Sequence, residues 1–275
     1  MLSIKELLTF GKNQLEKSNI DNASYDARVL LESILQCDRN YLILYGEQKI
    51  DSINEMRYRD FIERRSEHYP LQYIIGSQEF MGYEFLVNEN VLIPRQDTEI
   101  LVEKVLEYVD SDTQVLDMCC GSGCIGISIQ KESDASVTLA DISKEALSVA
   151  KRNGVMLDAD IEVIESNMYS NIQSTYDIIV SNPPYIRSDV IPTLMEEVKL
   201  HEPMLALDGK EDGLYFYRII IGEARRYLNE KGYLFLEIGC DQAADIRKIF
   251  IANQFDDIHI VKDLAGLDRV AYAHI

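Results

Sequence analysis

The chain has 275 residues, 47% of them hydrophobic, which is enough for one large domain or, more comfortably, two. Its formal net charge is −20, from 47 acidic against 27 basic residues spread along the length, so duplex DNA is not expected as the main substrate. No apolar run approaches the ~18 residues of a membrane span, and Lys5 and Glu6 break the apolar stretch a signal peptide would need, so a cytoplasmic protein is expected.

Residues 1–75 read as a helical domain. Ser3 and Glu6 fit a capping box, followed by Leu7, Leu8 and Leu15 at helical spacing. A second helix is expected from Asn22 or Ser24, burying Ala27, Leu30, Leu31, Ile34 and Leu35, with shorter helical stretches at 40–45 and 53–67. The pattern then changes. Phe80, Tyr83, Phe85, Val87, Val91 and Ile93 are β-prone and bracket the turn signal Asn88-Glu89-Asn90, which predicts a hairpin linker over residues 76–96. Asp97-Thr98-Glu99 can cap a helix through Ile100, Leu101, Val105 and Leu106.

From Gln114 onward strands and helices alternate, defining a third segment, 97–275. Strands are expected at 114–119, 136–141, 161–166, 176–181, 232–239, 257–263 and 269–275. Such alternation predicts an α/β fold, a parallel sheet with helices on both faces. The last two strands are too close for a helical crossover and should pair antiparallel.

Two strand ends carry the chemistry. "VLDMCCGSGCIG" ends a strand at Asp117 and enters a helix through a tight loop, with Gly121, Gly123 and Gly126 matching G-x-G-x-x-G. Asp141 ends the next strand, where an acid can accept both hydroxyls of a ribose. A nicotinamide dinucleotide and S-adenosylmethionine both suit this arrangement. A pyrophosphate site would start its glycines straight after the strand, whereas Asp117 comes first and suits a ligand carrying an ammonium and a sulfonium, so S-adenosylmethionine is favoured. "CCGSGC" lacks the paired spacing of a zinc site, and the five cysteines read as reduced thiols, so no metal is expected.

The second end is "IIVSNPPYIRS". Pro183 and Pro184 cannot donate to a ladder, so the strand must stop at Ser181 and project the next residues from the sheet's C-terminal edge. An amide nitrogen is a poor nucleophile because its lone pair is delocalised. Two acceptors on its two N–H groups, the Asn182 side-chain oxygen and the Pro183 carbonyl, would aim the lone pair at a methyl donor and stabilise the charge that develops. Tyr185 can stack on the flat acceptor.

These residues resemble the bacterial methyltransferases that modify the glutamine of the Gly-Gly-Gln motif in peptide chain release factors, the PrmC/HemK family. Asn182–Tyr185 alone is shared with adenine-N6 DNA methyltransferases, but the resemblance extends through residues 70–103, "EPMLALDGKEDGLYFYRII", "LFLEIGCDQAADIR" and "KDLAGLDRVAYAHI". It implies a Rossmann-like, seven-stranded methyltransferase sheet preceded by a helical domain that helps hold class I release factors. It implies cofactor contacts from Cys119, Cys120, Gly121, Ser122 and Gly123, from Asp141 to the ribose, and from Asn167 and Met168 beside the adenine. Asn182, Pro183, Pro184 and Tyr185 become the glutamine-binding element, with Asn182 also near the cofactor, and Pro94–Glu99 a segment packing over the site. The family usually has glycine where this chain has Cys119, so a positive φ there would be strained. The rival acceptors are an adenine amine in nucleic acid and a glutamine of another protein. A non-catalytic scaffold would be expected to have lost Asp117, Asp141 or Asn182.

Overall fold

The structure, a computed structural model, describes all 275 residues, in two compact units. The first comprises Met1–Gly76 together with Met195–His201. It holds α1 (Ile4–Lys17), α2 (Ala23–Leu35), α3 (Arg39–Leu44), α4 (Ser52–Ser66) and α5 (Leu71–Ile75). The capping box forms at the start of α1, where Ser3 Oγ accepts from the Glu6 amide at 3.3 Å and Glu6 Oε2 accepts from the Ser3 amide at 2.7 Å. Leu7, Leu15, Leu30 and Leu31 are completely buried in one core. Gly11 permits close packing of α1 on α4, since a Cβ there would lie 2.1 Å from the Tyr58 hydroxyl oxygen. The buried Asp26 carboxylate accepts from Arg65 Nε at 2.7 Å, and Arg65 Nη1 also pairs with Glu197 at 2.8 Å. Burial raises the Asp26 carboxyl above its ordinary range, and the Arg65 guanidinium opposes that shift.

The second unit comprises Ser77–Leu194 and Glu202–Ile275. It opens with a hairpin, β1 (Ser77–Phe80) and β2 (Tyr83–Leu86). The expected turn at Asn88–Asn90 is not the hairpin turn. The chain reverses at Met81-Gly82, both with positive φ (+52° and +77°), the backbone that a two-residue connection between right-twisted strands demands. Asn88 instead makes a local turn beyond the hairpin, its side chain accepting from the Asn90 amide at 3.0 Å.

After α6 (Gln96–Leu106) the sheet begins with β3 (Gln114–Met118), α7 (Cys124–Ser133), β4 (Ser136–Asp141), α8 (Lys144–Met156), β5 (Ile161–Glu165) and β6 (Tyr176–Ser181). Two short helices follow, α9 (Glu196–His201, part of the first unit) and α10 (Met204–Leu207). Then come α11 (Tyr215–Ala224), β7 (Leu228–Glu237), α12 (Ala243–Ala252), β8 (Asp256–Lys262) and β9 (Asp268–His274). The seven strands lie in the order β5-β4-β3-β6-β7-β9-β8. The first five are parallel, and β9 runs antiparallel to both β7 and β8; the short connection required the pairing with β8.

Alternation along the central strands feeds two cores. Val115, Val137, Leu139, Ile178, Val180 and Phe235 face α6, α7 and α8. Leu116, Met118, Ile179, Leu234 and Leu236 face the other way with Tyr217 and Ile220 of α11 and Ile246 and Phe250 of α12.

Candidate active site

The chain leaves β3, builds β4 and β5 on one side, then returns to lay β6 on the other side of β3. This reversal opens a crevice beyond the carboxyl ends of β3 and β6, the ligand position of open α/β sheets. Met118 and Ser181 are the last register pair, and Ser181 Oγ donates to the Met118 carbonyl at 2.6 Å. The glycine loop and the Asn-Pro-Pro-Tyr segment therefore start side by side.

The loop after β3 takes left-handed backbone at Cys119, Gly121 and Gly123 (φ +61°, +54° and +80°). Cys119 thus adopts the strained conformation foreseen from its sequence position, at a cost of roughly 1–2 kcal/mol for a non-glycine residue. The loop is tied to the end of β4 by Asp141. Asp141 Oδ2 accepts from the Gly121 amide at 3.0 Å and Oδ1 from the Ser143 amide at 2.9 Å. Burial raises the Asp141 carboxyl, and these backbone donors oppose the rise.

A cleft of about 210 Å³ lies over these ends. Its wall includes Cys119, Cys120, Gly121 and Ser122 of the loop, and Asp141 at the end of β4. Asn167, Met168, Asn182 and Pro184 complete the expected set on that wall. Pro94, Arg95 and Thr98, from the segment expected to pack over the site, also line it, as do Leu205, Ala206 and Phe216. Four expected residues are not among the lining residues: Asp117, Gly123, Pro183 and Tyr185.

Three of the four have a visible reason; Pro183, buried like the lining residue Pro184, does not. Asp117 is completely buried, its Oδ2 accepting from the Gly126 amide at 2.9 Å, while its Oδ1 has no hydrogen-bond partner. Burial pushes its carboxyl up to about 8; the Gly126 amide opposes this and the nearby Asp141 charge adds to it. Gly123 caps α7, where a Cβ would come within 3.0 Å of Ile127 and Leu139 side chains. Tyr185 is anchored at both ends. Its hydroxyl donates to Glu237 Oε1 at 3.2 Å, and its carbonyl accepts from Gln242 Nε2 at 3.1 Å. Gly209 and Gly213 press on the same peptide, since a Cβ at either would lie 2.7 Å or less from Tyr185 backbone atoms.

Sequence reasoning overlooked Glu237, and gave Thr98 a capping role and a place in the segment over the site but no bond to Asn182 or Glu237. Thr98 Oγ1 donates to Glu237 Oε2 at 2.6 Å, and Asn182 Nδ2 lies 3.5 Å from the same Oγ1. Glu237 is 2% exposed at the end of the apolar strand β7. A carboxylate inside "LFLEIG" was the available signal, because burying such a charge demands nearby partners.

Two family models match: the PrmC N-terminal domain over residues 6–76 and the methyltransferase small domain over 95–201. Among curated relatives, "release factor glutamine methyltransferase" of Clostridium acetobutylicum is 41% identical, covering 99% of this chain and 98% of its own. The protein of the same name from Clostridium botulinum is 39% identical, covering 98% of each. Among solved structures, a T. thermophilus 16S rRNA N2 G1207 methyltransferase, in complex with AdoMet and guanosine, shares the fold. It has a TM-score of 0.52 and 16% identity over 72% of this chain and 49% of that one. With such identity over nearly its whole length, the chain belongs to the release factor glutamine methyltransferase family.

Proposed function

We propose that the chain transfers the methyl group of S-adenosylmethionine to the side-chain amide nitrogen (N5) of the glutamine in the Gly-Gly-Gln motif of class I peptide chain release factors, in the cytoplasm, leaving S-adenosylhomocysteine. The observation that carries this reading is the Asn182 amide on the wall of the cleft, its nitrogen turned toward Thr98 and its oxygen left for an incoming N–H. The residues present also fit the cofactor. Asp117 keeps a buried oxygen with no partner, an acceptor suited to an ammonium group. Asp141 borders the cleft where an acid can take ribose hydroxyls, and Asn167 and Met168 border it where an adenine can lie. Bound there, S-adenosylmethionine supplies an electrophilic methyl carbon.

The chain's own part is orientation. Asn182 Oδ1 and the Pro183 carbonyl accept the two N–H bonds of the substrate carboxamide and turn its nitrogen lone pair toward the donor. As positive charge grows on that nitrogen both hydrogen bonds strengthen, which is differential stabilisation of the transition state. Pro183 and Pro184 stiffen the backbone carrying both acceptors. No strong base is required, because the methylated nitrogen is acidic enough to lose its proton to water. The helical residues 1–75 fit a substrate-recognition role, with 76–96 as linker and 97–275 as the catalytic part. The charge of −20 favours a protein acceptor over nucleic acid, whose phosphates it would repel.

The test is competition for label. The purified chain, methyl-labelled S-adenosylmethionine, a release factor bearing Gly-Gly-Gln and an equal mass of DNA and RNA are mixed. Label is expected in the release factor alone; label confined to nucleic acid contradicts the proposal.

A further inference from the structure

The acceptor amide of Asn182 has two possible orientations, differing by a half-turn that exchanges its oxygen and nitrogen. Only one presents an acceptor to a substrate N–H. The structure contains a chain of hydrogen bonds with a fixed direction that selects between them. Glu237 sits at the end of β7, buried, and each carboxylate oxygen receives a hydroxyl: Thr98 on Oε2 at 2.6 Å and Tyr185 on Oε1 at 3.2 Å. Its backbone carbonyl accepts a third, from Tyr217, at 2.8 Å. An ionised carboxylate accepts and never donates. Thr98 has one hydroxyl proton, and it is committed to Glu237. Toward Asn182, therefore, Thr98 can only accept, and the group it meets is the amide nitrogen, Nδ2, at 3.5 Å.

We infer that Glu237 and Thr98 are positioning residues that set the orientation of the Asn182 amide, Glu237 fixing the direction of the Thr98 hydroxyl and Thr98 holding the amide nitrogen away from the substrate. The inference rests on the proposed role of Asn182 as acceptor for the glutamine amide. The same carboxylate holds the Tyr185 ring, so one buried acid on β7 orders both ends of the Asn-Pro-Pro-Tyr segment. Burial raises the Glu237 carboxyl and the Asp97 charge adds to the rise, while the Thr98 hydroxyl, the Arg269 charge and the Tyr185 hydroxyl oppose it and favour the ionised form. A protonated acid in that position would lose the direction of the chain, since it could donate to Thr98 and release the Thr98 proton toward Asn182.

The discriminating substitution is Thr98→Val, which keeps shape and volume but deletes the hydroxyl. Thr98 is 3% exposed and its hydroxyl satisfies a buried carboxylate, so a purely structural role predicts a lower melting temperature with unchanged turnover. The inference predicts that kcat falls on the order of 100-fold, the scale of a misaligned reacting group. The dissociation constant for S-adenosylmethionine, read by calorimetry, stays within about threefold, and Thr98→Ser restores most of kcat. Glu237→Gln, able to accept from only one of the two hydroxyls, should lose on the order of 10-fold by the same argument. Thr98→Val turning over at the unmodified rate overturns the inference. If Thr98→Val fails to fold, Glu237→Gln decides: a loss of about 10-fold in kcat with cofactor affinity within about threefold upholds the inference, and turnover at the unmodified rate overturns it. The unmodified chain is run alongside, and its failure to label a release factor would sink the reading of Asn182 itself.

Discussion

The two sides of the cleft are built by different means. On the side we propose for the methyl donor the backbone does most of the work, with three left-handed residues in five positions and backbone amides bonded to both oxygens of Asp141. On the side we propose for the acceptor, a stiff proline pair follows the Asn182 amide, whose nitrogen meets Thr98 of α6, itself bonded to Glu237 of β7. Under the proposed function, the difference follows from what each side would recognise. A cofactor with several polar groups is held by many weak contacts, any of which can be lost at modest cost. A planar amide that must be turned to expose its nitrogen needs one contact of the correct polarity, and losing it is expensive.

Substitutions on the two sides should therefore separate binding from turnover. The largest effect is expected from Asn182→Ala, with kcat lower by about 100- to 1000-fold and cofactor affinity within a few-fold, by single-turnover kinetics and calorimetry. Asp141→Asn should do the reverse. Loss of a charged hydrogen-bond acceptor weakens cofactor binding by about 10- to 100-fold, with kcat at saturation little changed.

Asp117 adds a pH signature to the donor side. Its folded-state carboxyl lies near 8 against an ordinary 3.8, so its contribution to stability is complete below the ordinary value and is lost as pH rises through about 8. The melting temperature of the free protein should fall between about pH 6 and about pH 9 by some degrees, at roughly 2–4 °C per kcal/mol. Asp117→Asn should flatten that fall, and saturating cofactor, whose ammonium favours the ionised acid, should flatten it in the unmodified chain only. The smallest effect belongs to Cys119→Gly. Relief of the left-handed strain is partly offset by the extra freedom of glycine in the unfolded chain, leaving a gain of about 0.5–1 kcal/mol in thermal melts.

Most of the sheet was legible because its strands are apolar runs separated by helices, and the antiparallel pairing of β8 and β9 was dictated by the length of one loop. The glycine loop, Asp141 and Asn182 were legible for a related reason: local turn chemistry fixes where a strand stops. The hairpin turn was not, because β-prone residues run on from Phe80 to Ile93 and nothing in methionine announces the left-handed backbone of Met81. The short helices at 196–201 and 204–207 span too few residues to show a period. The Thr98–Glu237 bond was beyond reach for a different reason. Its partners stand 139 residues apart, and only the folded sheet reveals that the acid in β7 has met a hydroxyl from α6.

The central claim is that the Asn182 oxygen and the Pro183 carbonyl aim a glutamine amide at the methyl donor. Tandem mass spectrometry of a release factor incubated with the chain and S-adenosylmethionine tests it most directly, with a second release factor whose Gly-Gly-Gln glutamine is replaced by glutamate as control. The account predicts the mass of one methyl group on that glutamine's side-chain amide and none on the control. Methylation elsewhere on the release factor, equally present in the control, would contradict it.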